Sequence, residues 1–261
     1  MVLGLLAGLL AAVLFGVAAV AQAHAARRMP SVGRLTSFVG GAVRDPWMLG
    51  VVVAYLGGFF LHAVAIWLLP LYLAQAAISL SMPITALIAL IALHERLGQL
   101  RWIAVALVTL GLSLLAVGAG DPGRVDPSGA YATGLWLGVG LLLVAGISTG
   151  PLGGAWLGAL SGVGYTGSAI AVRGLDTPVT ALVVVIALSV PVLGLVAFWI
   201  YSRALGKAEV TAATGPLIVT QTFLPAVVGV VALGDGVRSW PAVFVGLVVA
   251  TSATVVLSQE G

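Results

Sequence analysis

Nine stretches of this 261-residue chain run for 15 to 24 residues without a single Asp, Glu, Lys or Arg. They cover 3–25, 47–69, 71–93, 102–118, 134–148, 152–172, 179–201, 210–233 and 241–257. A helix needs about 20 mostly apolar residues to cross roughly 30 Å of hydrocarbon. In lipid only a helix or a closed barrel satisfies its own backbone polar groups. The pattern predicts an all-α, polytopic membrane protein with nine transmembrane helices. Segment 29–45 is read as a loop at or outside the interface, because Arg34 and Arg44 bracket only nine residues. Burying an arginine at mid-bilayer costs on the order of 3 kcal/mol even on the mildest scale.

Charge is scarce enough to exclude whole classes of function. Nineteen residues carry it, whereas a soluble domain would be about a quarter charged. That rules out a water-soluble enzyme, a nucleic-acid binder and a disordered regulator. With no cysteine, disulfides and thiolate chemistry are excluded. Three scattered histidines, His24, His62 and His94, do not suggest a metal cluster. No cofactor is expected, since no strand–helix unit is available to make a nucleotide loop.

Charge placement orients the chain. With nine crossings, one side holds Arg27, Arg28, Arg34, Arg44, Arg96, Arg101, Arg203 and Lys207, eight of the 11 basic residues. The positive-inside rule makes that side cytoplasmic, in a cell membrane, with the N-terminus outside and the C-terminus inside. Ala21-Gln22-Ala23 has the small-residue form of a cleavage site. A signal peptide carries positive charge before its apolar stretch, whereas here Arg27 and Arg28 follow it. The first run is read as a retained helix.

The chain contains itself twice. Gly8, Phe15-Gly16-Val17 and Arg27 return 146 residues later as Gly154, Ser161-Gly162-Val163 and Arg173. Leu93-His94-Glu95 returns 140 residues later as Leu233-Gly234-Asp235. Runs one to four therefore correspond to runs six to nine, with the fifth as connector, dividing the chain into 1–118, 119–150 and 151–261. Five crossings separate run one from run six, so the second half is inserted upside down. Inverted repeats around a midplane site underlie alternating access in many secondary transporters.

The run 71–100, with Pro83 inside it and Leu93-His94-Glu95-Arg96-Leu97 at its end, resembles the drug/metabolite transporter superfamily, EamA-like. Pro225 and Leu233-Gly234-Asp235-Gly236 form a degenerate second copy. The resemblance spans nearly the whole chain except 119–133, and implies a transporter of small solutes. Nine helices, with Arg27-Arg28 after the first and Trp47 opening the second, are similar to the NIPA-like magnesium transporter branch. That branch carries an acid within the second helix, where this chain has Gly58. The small multidrug resistance branch uses a glutamate in helix one, and none is present in this run.

All eight acidic residues fall at or beyond the ends of the runs. Coupling to protons or Na⁺ usually leaves an intramembrane carboxylate, and Mg²⁺ prefers carboxylate oxygens. His62 is the ionisable group with a clear position inside a run. It either titrates near neutral pH and couples transport to protons, or is a neutral imidazole bonded to a neighbouring helix. The candidate substrate-binding residues are His62, Tyr72, Gln75, Ser79, Tyr165, Thr220 and Gln221. Gln75, Ser79 and Met82 share a helical face. Thr214, Thr220, Gln221 and Thr222 lie near Pro216 and Pro225, whose freed carbonyls are tolerated where they line a cavity. Ser168 and Gln22 add polarity on runs six and one. Gly4, Gly8, Gly16, Gly154, Gly158, Gly162 and Gly164 are read as close-packing faces. Glu95 with Arg96, and Asp235 with Arg238, are read as caps and interfacial ion pairs.

These features favour a secondary carrier of a small organic solute, with the lipid bilayer as its surroundings, acting as a monomer or homodimer. The alternatives are a Mg²⁺ permease, a flippase for a lipid-linked precursor drawn to Arg44, Arg96 or Arg203, and a non-transporting structural subunit. No nucleophile–base or acid pair within the runs points to an enzyme.

Overall fold

In the computed structural model, residues 2–28, 34–68, 77–78, 80–95, 98–118, 120, 125, 127–148, 152–175 and 178–258 are described. They form ten α-helices. These are α1 (Val2–Arg28), α2 (Leu35–Ala42), α3 (Pro46–Leu68), α4 (Ser81–Ala92), α5 (Gln99–Gly118), α6 (Gly129–Ser148), α7 (Gly154–Arg173), α8 (Ala181–Leu205), α9 (Val210–Ala232) and α10 (Trp240–Ser258). Each of the nine apolar runs holds a helix. Five (α1, α6, α7, α8 and α9) are long and apolar enough to cross a membrane, or six if the bent pair α2–α3 is one span. The apolar stretches of α4, α5 and α10 are shorter.

Helix starts follow the polar residues between the runs. Asp45 Oδ1 accepts the Trp47 N–H at 2.8 Å, with Pro46 opening α3. Proline suits this position, where its missing N–H is not needed. Ser128 accepts the Tyr131 N–H at 3.1 Å at the start of α6, and Thr180 accepts that of Val183 at 3.3 Å at the start of α8.

Segment 29–45 departs from the expected loop. Its residues 35–42 form α2, which meets α3 at a 93° bend. An eight-residue helix need not cross the bilayer, so Arg34 and Arg44 stay near its ends while Phe38, 1% exposed, turns inward. Phe38 packs on Phe198 of α8, ring centroids 5.8 Å apart.

The core centres on α8. Trp199, Ile200, Ala204 and Leu205 are all fully buried. The Trp199 ring lies beside Gly146 of α6, and Arg203 sits over that ring at 5.2 Å and donates to the Gly146 carbonyl. Large apolar side chains such as Phe60, Leu141, Trp156 and Val231 point outward, forming a surface suited to hydrocarbon rather than water.

The glycines read as packing faces do pack. A Cβ on Gly16 would meet Ile84 at 2.7 Å, and one on Gly162 would meet the Leu217 carbonyl and Thr220 at 2.7 Å. On α5 and α10 the relation is reciprocal. A Cβ on Gly111 would lie 2.7 Å from the Gly246 carbonyl, and one on Gly246 at 2.7 Å from that of Gly111. Chiefly, α1 packs along α3 and α4, α7 along α8 and α9, and α5 along α10.

Candidate functional site

A buried polar network joins α1, α3 and α8. Gln22, fully buried on α1, donates to Ser202 Oγ at 2.7 Å and to the Phe198 carbonyl at 3.2 Å. Its Oε1 accepts the Tyr55 hydroxyl at 2.9 Å. Tyr55 also rests edge-on against Phe198, at 6.0 Å between ring centroids. Next to it, Tyr201 and Thr214 share a buried hydroxyl–hydroxyl bond of 2.6 Å. Tyr55, Tyr165 and Tyr201 lie within electrostatic range of one another. The cluster thus gathers neutral donors and acceptors, flanked by aromatic rings, from α1, α3, α7, α8 and α9.

Of the candidates named from sequence, Tyr165 belongs to this cluster. Thr220 and Gln221, both half-buried, lie on α9 facing Gly162 of α7. The Thr220 carbonyl is within 3.5 Å of the Thr166 hydroxyl. His62 stands elsewhere on α3, next to Leu61, which packs with Ala7 and Ala65. Its Nδ1 is buried with no hydrogen-bond partner among the described residues. Tyr72, Gln75 and Ser79 lie outside the described residues. Ser168 donates to the Val190 carbonyl at 3.3 Å, and Thr85 to that of Ser81 at 2.8 Å, so both hydroxyls are bonded to backbone. Tyr55 and Tyr201 are not among the candidates named from sequence. Their signal is a phenol inside an apolar run, which needs a partner once buried.

Two corners of the molecule share one construction. At the end of α4, Leu93 N–H donates to the Ala89 carbonyl, His94 has φ +56°, and Glu95 N–H returns to the same Ala89 carbonyl. At the end of α9, Leu233 N–H donates to Gly229, Gly234 has φ +72°, and Asp235 N–H returns to Gly229. Each is a helix end closed by one left-handed residue, which directs the next side chain back along the helix. That side chain is an acid, and in each corner it meets an arginine ending another helix. Arg27 of α1 pairs with Glu95 at 2.7 Å, and Arg173 of α7 with Asp235 at 2.5 Å. Neither arginine is one of the partners expected from sequence, Arg96 and Arg238. Arg96 lies outside the described residues, and Arg173 comes from a different helix, 62 residues before Asp235.

Glu95 lies at a helix end, as its place after the third run implies, yet it is buried. It is 7% exposed, and both its oxygens accept the Val210 N–H, at 3.1 and 3.0 Å, at the start of α9. Arg27 donates further to the carbonyls of Leu205 and Ala208, at 3.2 and 3.1 Å. Close by, Arg101 of α5 pairs with Glu209. The two corners thus lie beyond opposite ends of α9. Its 23 residues at about 1.5 Å each span roughly 35 Å, slightly more than a bilayer's hydrocarbon.

No group of three or more His, Asp or Glu that could hold a metal occurs among the described residues. No protein-family model, curated protein or solved structure matches the chain.

Proposed function

We propose that the chain is a secondary transporter of the drug/metabolite type, moving a small organic solute by alternating access. In this reading nine helices cross a cell membrane: α1, α3, α4 and α5 form one repeat, α7 to α10 its inverted copy, and α6 connects them. The Arg27 corner faces the cytoplasm, with eight of the 11 basic residues on its side.

The observation that carries this reading is the doubled corner. Arg27 and Arg173 are 146 residues apart, and Glu95 and Asp235 are 140 apart. These are the two spacings at which the sequence repeats, and the members of each set form the same cap and ion pair at opposite ends of α9. Helix pairings support it as well. Exchanging the halves turns α1–α3 into α7–α8 and α1–α4 into α7–α9, and returns α5–α10 to itself. Such a duplication lets one end open as the other closes around a common site.

The solute site is assigned to the neutral cluster of Gln22, Tyr55, Tyr165 and Tyr201, with Thr220 and Gln221 beside it. Hydroxyls, amides and rings without a carboxylate suit a neutral, zwitterionic or amphiphilic organic solute better than a metal ion. The test is thermal unfolding of the purified protein against amino acids, nucleobases, amphiphilic cations, polyprenyl phosphates and Mg²⁺. A ligand at 100 times its Kd adds about 2.7 kcal/mol to the folded state. The expected result is a shift with one organic class that is lost in Gln221→Ala. A shift with Mg²⁺ alone, or with none of the panel, contradicts the proposal.

A further inference from the structure

One strip of the α1–α3 surface changes character along its length. Its deeper part is an open groove of about 320 Å³, lined by Val17, Ala18 and Ala21 of α1 and by Gly50, Val51 and Ala54 of α3. Four of these six are alanine or glycine, so the two backbones floor a trough, while Val53 and Leu56 nearby on α3 stand outward. Towards the Arg27 face the strip turns polar. Trp47, also on the groove wall, packs on His24 with ring centroids 5.4 Å apart. Arg28 then donates to His24 Nε2 at 3.1 Å.

The spacing of these residues makes the strip continuous. Val17, Ala21, His24 and Arg28 are separated by four, three and four residues, and Trp47, Gly50 and Ala54 by three and four. Each set therefore lies on one face of its helix. Val17 to Arg28 covers eleven residues, which at 1.5 Å each is roughly 16 Å. That is about half of the roughly 30 Å of bilayer hydrocarbon, the depth of one leaflet.

Charge decides the occupant. The first 44 residues hold four arginines and no acid. Arg27 is engaged by Glu95, whereas the exposed Arg28, Arg34 and Arg44 have no acidic partner among the described residues. Asp45, the next acid along the chain, turns its Oδ1 to the Trp47 N–H at the start of α3. Arg44 precedes Pro46, another residue of the groove wall, by two positions. An apolar trough that ends in guanidinium groups fits an amphiphile with a hydrocarbon chain and an anionic head, which the membrane itself supplies.

We propose that this strip binds an anionic phospholipid of the surrounding membrane, with one acyl chain in the groove and the phosphate held by Arg28 and Arg44. Trp47 and His24 lie between chain and phosphate, the level at which tryptophan is enriched in membrane proteins. A zwitterionic phospholipid has the same chain and phosphate but adds a cation that the arginines repel. The inference requires only that the chain lies in a membrane, and it stands whether or not the chain is a carrier.

The test is titration of the detergent-purified protein with phosphatidylglycerol, with phosphatidylcholine of the same acyl chains, and with glycerol 3-phosphate, following the first bound molecule by native mass spectrometry. Phosphatidylglycerol is expected to bind at least about tenfold more tightly than phosphatidylcholine. Glycerol 3-phosphate, which has no chains to bury, should bind at least about a hundredfold more weakly than phosphatidylglycerol. In the double variant Arg28→Gln with Arg44→Gln, phosphatidylglycerol should lose roughly thirtyfold in affinity, as two basic side chains near an anionic surface imply. Gly50→Phe fills the trough from a position whose Cβ would meet nothing within 4 Å, and should weaken both phospholipids at least about tenfold. All three replaced residues are exposed, so unchanged melting temperatures without lipid are expected. Equal affinity of the parent for the two phospholipids, or no loss in either variant, overturns the proposal. Glycerol 3-phosphate binding as tightly as phosphatidylglycerol also overturns it, since the arginines would then hold free phosphate anions and the groove no chain.

Discussion

Gly158→Ala is expected to cost about 2 kcal/mol of folded stability, the upper end of overpacking less the gain in helix propensity, although it adds only one methyl group. The new Cβ would overlap the carbonyl oxygen of Ala213 on α9, and it would also lie 3.0 Å from that residue's carbonyl carbon. The obstacle is backbone, so no side chain can swing aside and α7 must back away from α9. The next approach between the same two helices is also tight: a Cβ on Gly162 would meet the Leu217 carbonyl at 2.7 Å. A shift that accommodates the methyl therefore opens both contacts together. Overpacking typically costs about 1–3 kcal/mol, and the roughly 1 kcal/mol that alanine regains over glycine in a helix offsets only part of it. Gly138→Ala on α6 is the control, because its Cβ would meet nothing within 4 Å. It should be neutral or slightly stabilising. Melting temperatures of the two variants in detergent check the pair, and equal behaviour would mean that α7 and α9 do not approach through these glycines.

Arg27→Leu should cost about 3 kcal/mol, and the part of that cost due to the stranded acid should be smaller in Arg101→Leu. Both remove one partner of an ion pair, but what they leave behind differs. Arg27 leaves Glu95, whose side chain is 6% exposed, with a charge that among the described residues keeps only the Val210 N–H. Breaking a buried pair from one side costs about 3–5 kcal/mol. The low end applies, because Arg27 is itself 33% exposed and water can partly replace it. Arg101 is itself 16% exposed, but it leaves Glu209, 39% exposed, where water can solvate the charge left behind, so the loss of that pair is smaller. The double variant Arg27→Leu with Glu95→Leu should lose less than the sum of the singles, since no uncompensated charge remains. Strict additivity in that cycle would show that the two side chains do not interact.

How much of this is legible in the sequence depends on distance along the chain. The helices are, because each apolar run carries its own signal and charged residues, or prolines as at Pro70 and Pro151, mark its ends. The left-handed residue before Glu95 and Asp235 is announced by Gly234 in one copy but hidden by His94 in the other. Helix α2 escapes a sequence reading because the cost of burying Arg34 and Arg44 applies to a crossing, and a helix of eight residues makes none. The partners of Glu95 are out of reach, since Arg27 lies 68 residues away and Val210 lies 115 away. Gln22 is visible as a polar residue in the first run, yet nothing local connects it with Tyr55 or Ser202. The repeat, by contrast, is readable as two spacings, and the paired arginines and acids fall on both of them.

That the halves face opposite sides of the membrane is tested most directly by impermeant labelling of two single-cysteine variants in sealed cells. Gly98→Cys sits beyond the Glu95 corner on an exposed residue whose Cβ would meet nothing within 4 Å. Val179→Cys follows α7 beyond the Arg173 corner, at a position 74% exposed. The Val179→Cys protein is expected to be labelled from outside intact cells, and the Gly98→Cys protein only after the membrane is opened. Labelling of both from the same side would contradict the inverted repeat, and with it the carrier built on it.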